Sequence, residues 1–593
     1  MSDQRNLIAA IAVSLAILFG FQFLAPKLFP QFFPQPAEQT QQAPPAGDTT
    51  APQPSAPGGT ATAPAVPGVP APAADPEKLR SQALASESAR VKIESPRLVG
   101  SIALTGGRID DLTLTDYKVT TAPDSPSIHL LSPPGSPKPY YASFGWAADS
   151  AEVALPGDNT VWQASGPVLT PDKPLVLTWD NGAGLTFRRT FELDRDYLIT
   201  VTQTVTNDGK TPLSLYNYGL ISRTDTPVTS GFYILHEGPI GVLNGTLKEV
   251  DYSDLEDDPK IEAKTPNGWI GITDKYWLTA LLPGDKEFTG TFRHWAADSR
   301  DKYQVDALHP VGEVAPGASA SATMRLFAGA KEVHLLERYQ EKFDIPLFDR
   351  AVDFGYLWFL TKPFFYILDF FYKLIGNFGV AILLLTVCVK LVFFPLANKS
   401  YKAMSKMKAL QPEMMRLRER YGDDRQKMNQ ELMALYRKEK VNPASGCLPI
   451  LIQVPVFFAL YKVLLVTIEM RHAPFFGWIH DLSAPDPTNI FNLFGLAPWD
   501  VTSYLPVFLL IGVWPILMGI SMFLQQKMNP APADPVQAKI FMFMPIFFTF
   551  LLGTFPAGLV IYWTWNNTLS IAQQWVIMRR MGVPVGFRLK RSS

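Results

Sequence analysis

Hydrophobic and polar positions divide the 593 residues into stretches of different rhythm. Residues 7–24, LIAAIAVSLAILFGFQFL, are continuously apolar and long enough to cross a bilayer core of about 30 Å. They follow Arg5, and the Ala25, Pro26, Lys27 that come next give no small-x-small cleavage pattern. A retained anchor within residues 1–28 is expected rather than a removed leader, with its amino end on the cytoplasmic side. From Pro34 to Pro76 the chain is Pro, Ala, Gln, Thr and Gly, and Glu38, Asp48 and Asp75 are almost its only charges. Such a composition buries too little apolar surface to offset ordering, so residues 29–89 are expected to form a flexible tether.

From residue 90 to 345 the rhythm shortens to alternating runs cut by Gly, Pro, Asp and Asn. Leu98–Leu104, Arg108–Leu114, Leu185–Leu193, Tyr197–Thr206 and Trp269–Leu282 read as strands, and their spacing predicts a large all-β sandwich. Residues 346–376 change again. The run FGYLWFLTKPFFYILDFFY mixes aromatics with Lys362 and Asp369 around Pro363, which suits an amphipathic helix lying in a membrane interface.

Residues 377–397 contain GVAILLLTVCVKLVFF, an expected second span carrying one charge, Lys390. Residues 398–446 then turn polar and basic, with twelve Lys or Arg against six Asp or Glu. Met407, Leu410, Met414, Leu417 and Tyr421, and beyond Gly422–Asp424 also Met428, Leu432 and Leu435, recur three and four apart. That period predicts a helical hairpin with a coiled-coil-like seam, its first arm kinked at Pro412. Its methionines offer a deformable apolar surface. Four further spans are expected within residues 447–578: Cys447–Ile468, Tyr504–Leu524, the short Ile540–Phe555, and Leu559–Met578. Phe555–Gly558 turns the last two into a hairpin.

The reading is therefore a polytopic α-helical membrane protein of six transmembrane helices with a large all-β sandwich domain. Lys and Arg placement puts the basic hairpin and the tail of residues 579–593 in the cytoplasm, both termini with them, and the β domain outside. Composition narrows function. Net charge is −1, so no overall field argues for nucleic acid. Cys388 and Cys447 both sit in or beside apolar segments and are too few for a disulfide framework. The seven histidines are scattered without zinc spacing, and Gly209-Lys210-Thr211 lacks the upstream glycine of a phosphate loop. No cofactor is expected.

Lys390 is the candidate site by default, because a cation inside hydrocarbon costs roughly 2.5 to 3.5 kcal/mol. It lies eight residues before Asn398, about 12 Å along a helix, so its stem is also able to snorkel. Thr386 on the same face favours a hydrated surface instead. The last span is unusually polar: Tyr562, Asn566 and Ser570 recur at four-residue spacing beside Asn567, Gln573 and Gln574. With Lys390, Thr386 and Gln453 these residues either line a recess open to the cytoplasm or simply hold the helices together.

The run VDFGYLWFLTKPFFYILDFFYKLIGNFGVAILLLTVCVKLVFFPLANKSYKAMSKMKALQP, then GDD, VNPASGCLPILIQVPVFFALYKVL, APFFGWIHDLSAPDP and FPAGLVIYW, resembles the YidC family of membrane-protein insertases. The resemblance extends from about Val352 to Gln574, and a large outer domain is typical of Gram-negative members. It implies a five-helix core in the inner membrane, a periplasmic β domain, and a positively charged groove closed on the outside. The family's groove charge is commonly arginine; the matching position here is Lys390, which keeps the cation and loses the planar fork. Thr386 matches a substrate-contact threonine, and Trp563 stands where tyrosine is often found. The resemblance further implies that the hairpin recruits nascent membrane proteins and signal-recognition targeting factors, that the basic tail assists the ribosome, and that a Sec translocon participates. Insertion without chemical catalysis follows as the expected activity. The alternatives are an anion transporter or channel using Lys390, and a carbohydrate-binding β domain in which Trp146 or Trp162 stacks on a sugar.

Overall fold

A computed structural model describes residues 76–86, 89–149, 153–229, 235–284, 286–421, 424–439, 441, 448–497, 509–529 and 535–583. The expected anchor of residues 1–28, most of the tether, the Gly422–Asp423 turn and the tail beyond residue 583 lie outside them. The end of the tether is a correction. Pro76–Ser86 is a helix, EKLRSQALA being a good helix former, and it docks on the sandwich: Ala83 is buried and Arg80 pairs with Asp111.

The β region forms two stacked antiparallel sheets of ten and nine strands, with one local parallel pairing between Arg90–Glu94 and Val168–Leu169. Alternation produces the layering. In Leu185–Leu193 every second residue is buried, and the strand pairs with Leu198–Asn207 through a turn in which the Asp194 carboxylate accepts the Asp196 and Leu198 N–H groups, each at 2.9 Å. Trp269–Leu282 is not one strand. It is a hairpin of Gly268–Thr273 and Trp277–Leu282, because Asp274 and Lys275 reverse the chain. Trp146 and Trp162 are both buried, and Trp162 covers the buried Arg189 guanidinium at 4.6 Å. Neither ring is available to a sugar.

Helix α1 (Val333–Phe343) closes the sandwich, and α2 (Trp358–Ile375) follows. The two are laced together by charge. Glu337 on α1 meets Lys362 at 2.7 Å and the Tyr366 hydroxyl, while His334 meets Asp369 at 2.9 Å. The outward side of α2 exposes Phe359, Phe370 and Leu374.

The expected second span is two helices. Helix α3 (Phe378–Val392) starts at Asn377, whose side chain accepts the Val380 N–H, and α4 (Phe394–Ala409) leaves it at 71°. Pro395 in the first turn of α4 has no N–H to continue the ladder of α3, so the bend falls there. Among the described residues no single helix is long and apolar enough to cross a membrane by itself; this bent pair passes the test together. Helix α8 (Val513–Met528) has 16 residues, and the 24-residue α10 (Ala557–Arg580) is polar along one stripe; α7 (Leu448–Val466) and α9 (Pro535–Leu552) are apolar helices that contain Pro455 and Pro545. Between α4 and α7, α5 (Gln411–Tyr421) and α6 (Arg425–Lys438) form the hairpin. The break falls at Leu410, two residues before Pro412. Met414, Leu417 and Tyr421 are half-buried, Leu432 is buried, and the Tyr436 hydroxyl reaches the Met414 sulfur at 3.7 Å, which upholds the seam.

The helical bundle has a sandwich end and a hairpin end. At the sandwich end, Glu469 Oε1 accepts the Val333 N–H at 3.1 Å, and Lys462 on α7 meets Asp353 at 2.6 Å. Arg471 donates to the carbonyls of Lys118 and Val119 while lying over the rings of Tyr276 and Trp277. At the hairpin end, Lys408 on α4 donates to the Lys527 and Met528 carbonyls at the C-terminus of α8, each at 3.1 Å. Helix α8 therefore runs from one end to the other.

Candidate functional site

The polar stripe of α10 does two jobs. Asn567 donates to Ser521 Oγ on α8 at 3.0 Å, and Gln574 donates to the Met528 carbonyl and Asn529 Oδ1 at 3.3 and 3.2 Å. Those residues hold helices together. Tyr562, Asn566 and Ser570, one helical turn apart, face the other way, and all three are buried.

Toward the sandwich end, Gln453 Nε2 on α7 donates to the Tyr562 hydroxyl at 2.5 Å. Eight residues further, about 12 Å along α10, Lys390 Nζ on α3 donates to Ser570 Oγ at 2.7 Å. The Ser570 hydroxyl donates its own hydrogen bond to the Asn566 carbonyl at 2.8 Å, so its lone pairs are turned toward the ammonium. No carboxylate among the described residues pairs with Lys390; its partner is a neutral oxygen. The flanks are apolar: Leu391 and Val392 are exposed, and Trp563 packs between Phe457 of α7 and Phe548 of α9, with ring centroids at 4.7 and 6.0 Å.

The expected constellation is thus resolved into two pairs. Lys390 meets Ser570, and Gln453 meets Tyr562. Thr386 is buried and spends its hydroxyl on the Ile382 carbonyl of its own helix at 2.7 Å, so it does not touch Lys390's partner. Trp563 lines the aromatic side. Two participants were not legible from periodicity. Tyr401, on α4 beyond the 71° bend, is buried and packs with Ile577 of α10, on the helix whose Ser570 receives Lys390. Trp565 Nε1 donates to the Leu383 carbonyl at 3.3 Å and fixes α10 against α3. Lys462 is a second cation inside an apolar run, and its partner Asp353 lies 109 residues away in the chain.

A β-sandwich joined to a bundle whose outward side chains are Phe, Leu, Ile and Met, with a lysine held against a serine between its helices, is the build of a membrane-embedded protein carrying an extramembrane domain. The family described as "60Kd inner membrane protein" matches residues 370–583, and "YidC periplasmic domain" matches residues 90–367. The protein described as Membrane protein insertase YidC from Methylorubrum extorquens (strain PA1) is 52% identical over 98% of this chain and 96% of its own length. The one from Granulibacter bethesdensis is 50% identical over 98% and 99%. A solved structure described as an active YidC insertase with the first transmembrane domain resolved covers 82% of this chain and 92% of its own at 16% identity, with a TM-score of 0.34, which adds no argument to the sequence relation. This chain belongs to the YidC family of membrane protein insertases.

Proposed function

We propose that this protein inserts nascent membrane proteins into the inner membrane, using Lys390 as a cation offered partway across the bilayer. The observation that carries the reading is the Lys390–Ser570 pair: a half-buried ammonium answered by a hydroxyl and by no described carboxylate. A charge with an internal counter-ion is spent on structure. One left against a neutral oxygen retains attraction for an arriving anion.

The drive comes from the substrate. An apolar helix of about 20 residues gains roughly 0.3 to 0.6 kcal/mol per Leu, Ile, Phe or Val on entering lipid, or about 6 to 12 kcal/mol in all. That exceeds the cost of moving a short polar tail, so the protein lowers a barrier and needs neither nucleotide nor covalent chemistry. Lys390 with Ser570, Asn566, Tyr562 and Gln453 supplies polar partners along the path of the tail, and Trp563 faces the apolar segment. In this reading the chain has six spans and both termini are cytoplasmic, while the sandwich end is periplasmic. The α5–α6 hairpin receives substrates from the ribosome or from targeting factors, and a Sec-type translocon works beside the bundle on larger clients.

The test is reconstitution. Lys390→Arg in lipid vesicles is expected to retain insertion of single-span substrates with short acidic tails, and Lys390→Glu to lose it. Normal insertion by the Glu variant refutes the role of the charge.

A further inference from the structure

Between α7 and α8 lies a segment that neither the groove nor the sandwich joint uses, Thr488–Ala497. Residues 487–499 contain no charged side chain. Ile490, Phe491, Leu493, Phe494 and Leu496 are all exposed, Leu493 to 56% and Leu496 to 88%. Leu493 and Phe494 adopt left-handed backbone, with φ of 52° and 59°, a conformation that large apolar residues rarely take. It turns both side chains outward.

The backbone of this turn is satisfied from within. Asn489 Oδ1 accepts the Phe491 and Asn492 N–H groups at 3.1 and 3.0 Å, and Asn492 Oδ1 accepts the Gly495 N–H at 2.9 Å. The N–H groups of Ile490, Phe494, Leu496 and Ala497 reach the carbonyls of Ile511, Asn489, Leu493 and Asn492. Just before it, Thr488 Oγ1 and Asp486 Oδ2 accept the Val513 and Trp514 N–H groups and so cap α8. A loop in water has no need of this economy, because water serves its N–H groups. A loop against hydrocarbon does need it, because nothing there accepts a hydrogen bond.

Position agrees with composition. The C-terminus of α8 is held at the hairpin end by Lys408, so the capped N-terminus and this loop lie at the sandwich end. Sixteen residues of helix span about 24 Å, roughly 6 Å short of a hydrocarbon core of about 30 Å. The loop's apolar surface continues that of α8, where Leu517, Ile520 and Phe523 are exposed, and Trp478 beside it keeps its indole N–H on Asp486 at 3.1 Å with the ring outward, as in an aromatic interface belt.

We infer that Thr488–Ala497 is a lipid-contacting foot, inserted among the acyl chains of the outer leaflet and extending the short α8 to the membrane surface. This rests on the membrane-embedded reading of the bundle, and the experiment separates the two. In a chain with Cys388 and Cys447 replaced by serine, Leu496→Cys is labelled with an environment-sensitive fluorophore in proteoliposomes. Its quenching is compared between lipids brominated on the acyl chain and aqueous iodide, with Leu493→Cys as a second reporter. Ile546→Cys on the exposed face of α9 serves as the lipid reference and Val228→Cys on the sandwich as the aqueous one. The expected result is several-fold stronger quenching by brominated lipid than by iodide at 496 and 493, matching 546 and opposite to 228. Iodide-dominated quenching at 496 and 493 with lipid quenching at 546 overturns the foot and leaves the membrane reading intact. Quenching by neither agent means that protein covers the loop, which also overturns the proposal. Iodide quenching at 546 as well defeats the membrane reading itself.

Discussion

Two lysines sit on apolar helices of this bundle, and the molecule treats them in opposite ways. Lys462 on α7 is answered by Asp353 at 2.6 Å, in the link between sandwich and α2, where Glu469 and Arg471 also tie the two parts together. Lys390 on α3 is answered by Ser570 Oγ at 2.7 Å. The first charge is neutralised by a partner from the other domain and is a fastener. The second is solvated by a hydroxyl, which holds the ammonium in place without cancelling it. The identity of the partner, more than the presence of a charge in an apolar helix, separates a joint from a site.

The largest expected effect comes from breaking the fastener. Lys462→Met strands the Asp353 carboxylate in a half-buried joint and is expected to destabilise the protein by about 3 kcal/mol, seen as a lower midpoint in thermal unfolding of the purified protein. Lys462→Met with Asp353→Asn should recover most of that loss, since Asn removes the isolated charge and keeps an oxygen for the His236 and Gly355 N–H groups. Failure of the double variant to recover would make Lys462 something other than a joint residue.

Glu469 sharpens the same side of the comparison. Burial, with smaller contributions from Glu332 and Asp369, lifts its carboxyl from 4.5 to about 7. In the unfolded chain it ionises near 4.5, so the joint has its full stability below that pH and loses it as pH rises through about 7, by up to about 3 kcal/mol. Thermal midpoints of the wild type are expected to fall between pH 5 and pH 8. Glu469→Gln keeps an oxygen for the Val333 N–H and should flatten that dependence; an equally steep profile in the Gln variant would assign the titration elsewhere.

The smallest effect belongs to the site. Ser570→Ala removes the hydroxyl that holds Lys390 and is expected to slow insertion of acidic-tailed substrates several-fold, on the order of 1 kcal/mol, with unfolding nearly unchanged. Substrates with neutral tails should be much less affected. Equal slowing of both would make Ser570 a packing residue. A neutral hydroxyl is a weaker partner than a carboxylate, so its loss should cost the fold less than the loss of Lys462 does.

Much of this was readable in the chain. Period two with Gly, Pro and Asx breaks announced the sandwich, and three-and-four spacing announced the hairpin, because side-chain burial imposes both rhythms directly. Lys390 and Ser570 were visible as polar residues in apolar runs. Their pairing was not, since 180 residues separate them and only the packing of α3 on α10 brings them together. The bend at Phe393 was missed although Pro395 was in view, because the apolar run continued past it. Tyr401 was hidden for the same reason: beyond the bend it returns to α10, where a straight helix would have carried it away. Pro76–Ser86 looked like tether because its neighbours are Pro- and Ala-rich, and only Arg80 meeting Asp111 shows that it is docked.

The most direct measurement places a cysteine at position 390, in a chain without Cys388 and Cys447, and exposes inside-out vesicles to a membrane-impermeant thiol reagent. Rapid modification from the cytoplasmic face, slowed when a stalled substrate occupies the groove, is the predicted result. Modification only by a lipid-soluble reagent would place that position against acyl chains and contradict the account.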